Sequence, residues 1–84
     1  MVNKNIKIRK EKFGWLICNI NDCNVYEISE IGVFIVQLLS NNKDVLKRID
    51  LLVELVKNRF NLNKEDSKKE VKLILYELRK VGLI

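Results

Sequence analysis

The chain has 84 residues, of which 48% are apolar and 32% charged, and its formal net charge is +5. This balance is typical of one small globular domain, residues 1–84, and excludes an intrinsically disordered chain. The positive charge favours acidic partners such as nucleic acid, acidic peptides or anionic surfaces. No run approaches the roughly 18 apolar residues of a membrane span, and no signal-peptide pattern occurs, so we expect a cytoplasmic protein with no membrane partner.

Three short runs with strand character come first, at residues 5–9, 13–19 and 24–28. The first alternates polar and apolar residues, as a strand with one buried face requires. The second is nearly all apolar, with aromatic and β-branched side chains, which predicts a central strand covered on both faces. Turn-tolerant residues at 19–23 predict that the second and third strands form an antiparallel hairpin.

Symmetric pairing about this turn predicts which side chains share a face of the hairpin. One face groups two residues from each strand: Trp15, Ile17, Tyr26 and Ile28. The opposite face groups Leu16, Cys18, Val25 and Glu27. Cys18 and Cys23 are the two cysteines, and we expect a reducing cytosol to keep both as thiols.

Three segments with helical periodicity follow, which predict helices at residues 30–40, 48–60 and 64–81. Each segment carries an apolar stripe at spacings of three and four. The stripes are Ile31, Phe34, Ile35, Leu38 and Leu39; then Ile49, Leu52, Val53, Val56 and Phe60; then Val71, Ile74, Leu75, Leu78 and Val81. We therefore expect all three helices to contribute to the core.

Capping residues indicate where the helices begin. Ser29 supplies an N-cap hydroxyl for the first helix, and Asn63 with Asp66 resembles a capping arrangement for the third. The start of the second helix is open, because Asp44 can cap it or residues 45–47 can form a loop.

The two flanks of the third helix differ in charge when the sequence is projected at roughly 100° per residue. One flank groups Lys68, Lys72, Tyr76 and Arg79, and the other groups Glu70 and Glu77. The first flank is thus basic and partly aromatic.

The composition argues against catalysis. The chain has no histidine and no paired carboxylates in an apolar setting, so we predict no catalytic residue and no enzyme activity. Its three glycines are isolated, and two cysteines without histidine make a zinc site improbable, so we predict no cofactor and no metal. A binding module is the remaining class.

Several segments, in order, resemble the PqqD family, also called RiPP recognition elements, which bind the leader segment of ribosomally made precursor peptides. The resemblance runs from residue 9 to residue 84. It is carried by residues 13–17, 25–32, 34–39, 58–60 with 63, and 78–84. The chain departs from the family pattern at Cys23, a turn position that is often glycine, and at residues 41–47, which form a longer segment than usual.

The resemblance implies an α+β, winged-helix-like fold in which the leader docks as an added strand on the third strand, beside the third helix. Strand addition would use backbone groups of Asn24, Val25, Tyr26, Glu27 and Ile28. The predicted side-chain contacts are Lys68, Lys72, Tyr76 and Arg79 along the groove, which would pair with acidic leader residues, and Leu75 as an apolar floor.

The implied role is that of an adaptor that delivers the precursor to a modifying enzyme. A radical SAM maturase is the favoured recipient, and a leader peptidase of lasso-peptide type is second. An exposed strand edge also allows a homodimer.

The alternative is a small winged-helix DNA-binding regulator. We rank it lower and do not expect a nucleic-acid partner, because the lysines and arginines are dispersed along the sequence.

Overall fold

Three antiparallel strands are followed by three helices in the computed structural model, which describes residues 6–20, 23–41, 44, 47–82 and 84. The elements are β1 (Ile6–Glu11), β2 (Gly14–Asn19), β3 (Asn24–Ile28), α1 (Glu30–Asn41), α2 (Ile49–Phe60) and α3 (Lys64–Lys80). This order confirms the predicted α+β layout. The first strand extends two residues beyond the predicted end, and Asn5 lies outside the described residues. Within the described ranges, no helix has the length and apolar character to cross a membrane.

The sheet has the order β1-β2-β3, so the hairpin strand β2 is central and β3 is an edge. Trp15 lies opposite Ile28, and Ile17 lies opposite Tyr26. Because directly opposed residues point to the same side of a sheet, the predicted division of the hairpin into two faces is confirmed.

The core lies between one face of the sheet and the three helices. Ile17, at the centre of β2, is 1% exposed and belongs to the same buried cluster as residues of all three helices. The stripes of α2 and α3 are buried largely as predicted. In α1 the buried face is rotated, because Val33 and Val36 are buried whereas Phe34 and Leu38 are half-buried.

The other face of the sheet is more open than predicted. Leu16 and Cys18 are half-buried, and Val25 is 54% exposed. The expectation that β2 is covered on both faces is therefore wrong. The apolar stripes of the three helices form a single cluster with Ile17, which leaves them on one side of the sheet.

Two of the predicted helix caps are present. The Ser29 Oγ accepts a hydrogen bond from the Gly32 amide at 3.1 Å, and the Asn63 Oδ1 accepts one from the Asp66 amide at 2.7 Å. For the second helix, where the sequence leaves open both a cap by Asp44 and a loop at residues 45–47, the structure excludes the cap by Asp44; residues 45 and 46 lie outside the described residues. Helix α2 begins at Ile49, and its N-cap residue Arg48 makes no side-chain capping bond.

A buried hydroxyl joins α2 to α3. Ser67 is fully buried, and its Oγ donates a hydrogen bond to the Val53 carbonyl oxygen at 2.6 Å. A buried polar group is costly unless it is paired, so this bond permits close contact between the two helices. Nothing in the apolar spacing of α3 indicated it.

Gly32 lies where the first turn of α1 meets β3 and α3. A Cβ added at this position would lie 2.4 Å from the Ile28 Cγ1 and 3.3 Å from the Ile74 Cδ1. The first of these separations is far shorter than a carbon–carbon contact allows. A residue without a side chain is therefore required for this packing.

We predict that Gly32→Ala destabilises the protein, although alanine is the better helix former by about 1 kcal/mol. The added methyl group forces Ile28 or the helix to move, and overpacking of this kind costs about 1–3 kcal/mol. Urea denaturation measures the free energy of unfolding. The matched double variant Gly32→Ala/Ile28→Ala removes the clashing side chain. Its loss in the free energy of unfolding should be smaller than the sum of the losses in the two single variants. A Gly32→Ala protein more stable than the parent would contradict this packing.

We also predict that Cys23→Asn stabilises the protein modestly. Cys23 has φ = 58°, a left-handed conformation in which asparagine and glycine are tolerated better than other residues. The gain should be no more than about 1 kcal/mol, since the left-handed conformation costs most residues about 1–2 kcal/mol and asparagine less; urea denaturation under reducing conditions measures it. Cys23→Val, which adds a β-branch at the same position, should lower the stability. Equal stability of the two variants would contradict the argument.

Candidate functional site

A groove of about 450 Å³ lies between β3 and the C-terminal half of α3. From the strand it is lined by residues 25–28, and from the helix by Ile74, Glu77 and Leu78, with Lys80 and Val81 at the helix end. The helix residues 74, 77, 78 and 81 are spaced by three and four, which places them on one face of α3. We call this feature the β3–α3 groove.

The floor of the β3–α3 groove is apolar. Ile17, Ile74 and Leu78 line it and are all buried members of the core cluster. Tyr26 and Ile28 also line the groove and pack partly against the same cluster. An apolar side chain placed in this groove would thus be in contact with the core itself.

The rim of the groove is exposed and mixed in charge. Val25 and Glu27 stand on the strand side, and Glu77 and Lys80 stand on the helix side. Because Val25 and Glu27 lie opposite Cys18 and Leu16, their side chains belong to the open face of the sheet, away from the groove floor. A ligand in the groove would therefore meet one carboxylate, that of Glu77, and one ammonium group, that of Lys80, both on the helix side.

The outer edge of β3 borders the groove. Because β3 is the last strand of the sheet, one side of its backbone lacks a neighbouring strand. Among the described residues, no backbone hydrogen bond from a helix or loop reaches residues 25–28. The groove therefore combines an available strand edge with an apolar floor, which is the arrangement used to capture extended peptides.

The structure places the predicted site residues in different parts of the surface. Val25, Tyr26, Glu27 and Ile28 line the groove, whereas Asn24 begins the strand beyond the groove lining. The predicted helix residues do not face β3. Lys72, Leu75, Tyr76 and Arg79 line a separate concavity together with Ile49, and Lys68 lines a further depression beside α2.

This placement corrects the predicted groove lining. The flank of α3 that faces β3 carries Glu77, and the basic flank faces away from the strand. The helical projection separated these flanks but contained no information on which one adjoins β3. The spacings of Glu77 from Ile74 and of Arg79 from Leu75 are alike in kind, so no local signal in the sequence identifies the correct flank. A role of Lys68, Lys72, Leu75, Tyr76 and Arg79 in peptide binding stays a prediction.

The groups with chemical reactivity are few. Cys18 is half-buried and Cys23 exposed, and both are free thiols. In the described part of the chain, no three histidine, cysteine, aspartate or glutamate residues lie close enough together to hold a metal ion.

Comparison with known protein families, characterised proteins and solved structures finds no match to this chain. The fold and the groove define a small α+β protein with a peptide-sized cleft at a strand edge. The resemblance to the PqqD family stays a prediction, and the function has to be argued from the groove.

We predict that floor and rim residues of the groove differ sharply in their contribution to stability. Leu78 is 3% exposed, so Leu78→Ala should cost about 2–5 kcal/mol in the free energy of unfolding. Val25→Thr and Glu77→Gln, on the exposed rim, should each change it by less than about 0.5 kcal/mol. Urea denaturation of the three variants measures this difference. A large loss of stability in either rim variant would show that the rim supports the fold and is not free to bind a ligand.

Proposed function

We propose that this protein is an adaptor that binds the leader segment of a ribosomally made precursor peptide and delivers it to a modifying enzyme. The observation that carries the proposal is the β3–α3 groove, in which an available strand edge lies beside an apolar floor. The resemblance of the sequence to leader-binding domains supports the same class of ligand.

In the proposed complex the leader adds a fourth strand to the sheet along β3. Backbone hydrogen bonds would provide affinity that depends little on sequence, and side chains would provide selectivity. Because successive side chains of a strand point to opposite sides, every second leader residue would face the floor formed by Ile74 and Leu78. At about 3.3 Å per residue, the five residues of β3 offer an edge roughly 16 Å long.

The rim charges define the preferred leader chemistry. Glu77 favours a basic leader side chain, and Lys80 at the end of the groove favours an acidic one nearby. Exposed ion pairs are worth only about 0.2–1 kcal/mol each, so these charges would adjust selectivity more than affinity. This pattern replaces the earlier expectation that acidic leader residues pair with the basic flank of α3 in the groove.

Delivery would operate through effective concentration. A leader held on the adaptor keeps the rest of the precursor near an enzyme that also binds the adaptor, at an effective concentration of up to about millimolar. A radical SAM maturase is the favoured recipient, and a leader peptidase of lasso-peptide type is second, on the strength of the family resemblance. The adaptor itself would carry out no catalysis.

The backbone requirement gives a direct prediction for binding. The test ligand is a labelled peptide encoded by a small reading frame beside this gene. In a fluorescence anisotropy titration it should bind saturably, with a Kd of about 1 μM or lower. Methylation of single leader amides should abolish binding at alternate positions of the docked segment and be tolerated between them, because only alternate amides of an added strand face β3. Tolerance at every position would contradict strand addition. If the protein binds duplex DNA but not the peptide, and the DNA affinity falls steeply with added salt, the result would instead support the DNA-binding regulator.

The position of the groove gives a second prediction, with a matched control on the same helix. For a leader with a basic residue at the groove, Glu77→Lys should weaken binding by about threefold to tenfold, because it replaces an attraction with a repulsion. Lys72→Glu, which reverses a charge on the flank away from β3, should leave this affinity nearly unchanged. Anisotropy titrations at low salt measure both variants. A stronger effect of Lys72→Glu would place the leader on the basic flank.

A further inference from the structure

The positive charge of the chain is concentrated around Ile49, at the start of α2. Ile49 lines three concavities at the start of α2, two of which are also lined by residues of α3. Their linings contain seven basic residues, namely Lys47, Arg48, Lys64, Lys68, Lys72, Arg79 and Lys80, and two acidic ones, Asp50 and Glu54. This excess of five equals the formal net charge of the whole chain. Basic residues that are dispersed along the sequence therefore line concavities that share Ile49 in the folded chain.

These basic side chains are not neutralised within the described part of the chain. The ion pairs there join Arg9 to Glu11 and Lys57 to Glu54, the latter at 3.6 Å. Neither pair includes any of the seven residues around Ile49. Their charges are thus available to an external acidic partner.

The central concavity of this surface has a volume of about 600 Å³ and is lined by Ile49, Lys72, Leu75, Tyr76 and Arg79, together with Lys80. Leu75 is 4% exposed and Ile49 half-buried, so the floor is apolar. Tyr76, which is 61% exposed, stands at the rim beside the cations. We call this feature the basic concavity.

We propose that the basic concavity docks an acidic amphipathic helix of a partner protein. An apolar side chain of that helix would cover Ile49 and Leu75, and carboxylates on either side of it would pair with Lys72 and Arg79. A duplex would satisfy the cations through its phosphates but would leave the apolar floor uncovered, so the combination favours a protein ligand.

The inference goes beyond leader binding and does not depend on it. The basic concavity and the β3–α3 groove lie on different flanks of α3 and share Lys80 at the helix end. A partner in the concavity would therefore leave the β3 edge and the groove floor accessible. Such a geometry suits an adaptor that holds a peptide and an enzyme together.

A synthetic peptide tests this docking surface. The probe is an amphipathic helical peptide with leucines at spacings of three and four and glutamates elsewhere; the control probe has every glutamate replaced by lysine. Titration of the ¹⁵N-labelled full chain should shift the amide resonances of Lys72, Leu75, Tyr76 and Arg79 with the acidic probe only. Binding should weaken as salt is added, because the contacts are between exposed charges.

Charge-reversal variants complete the test. Lys72→Glu/Arg79→Glu should weaken binding of the acidic probe by about tenfold or more. The control variant is Lys69→Glu, which reverses one charge on the same helix but outside the concavity. It should change the affinity for the acidic probe by less than about twofold. A thermal midpoint close to the parent's in each variant shows that folding is retained, because all three side chains are exposed.

Three outcomes would overturn the proposal. The first is no saturable binding of the acidic probe, and the second is shifts confined to residues 25–28, which would mean that the probe occupies the leader groove. The third is tighter binding of a 20-base-pair duplex through Lys72 and Arg79, which would make the surface a nucleic-acid site. The leader titration with the Glu77→Lys variant measures binding at the β3–α3 groove separately, so failure of this docking surface is distinguishable from failure of the proposed function.

Discussion

The contact of Gly32 with Ile28 is the constraint on which the rest of the structure depends. Ile28 ends the edge strand, Ser29 caps the next helix, and Gly32 lets the first turn of that helix approach Ile28 and Ile74 without a side chain between them. The strand that offers an open edge and the helix that supplies the groove floor are therefore held against the same point. A wider separation at Gly32 would move β3 away from α3 and open the floor to solvent.

The orientation of α3 then determines what each surface of the protein can bind. Burial of Ile74, Leu75 and Leu78 and the bond from Ser67 to the Val53 carbonyl place the helix against α2 and the core. With that face fixed, Glu77 is directed to the β3 side and Arg79 to the α2 side. One helix thereby borders an apolar groove with the Glu77 carboxylate at its rim on one flank and a strongly basic concavity on the other.

Local patterns in the sequence predicted the elements of the fold, because strand alternation, apolar stripes and caps such as Asn63 act over a few residues. The faces of the hairpin also followed from local pairing. What the sequence did not predict depends on contacts between distant segments: the bond made by Ser67 and the flank of α3 that adjoins β3. Of the residues predicted to bind peptide, residues 25–28 line the groove and Asn24 does not, whereas the predicted helix residues line other concavities; their role in binding stays a prediction.

The central claim is that an extended leader pairs with the outer edge of β3, and amide hydrogen exchange of the protein with and without leader peptide tests it most directly. The account predicts that exchange slows on binding at alternate amides of residues 25–28, because those amides become hydrogen-bonded to the added strand. It predicts little change at Lys72 and Arg79. The account would be contradicted if, at saturating leader concentration, amide exchange in β3 were unchanged, or if exchange slowed only along the basic flank of α3.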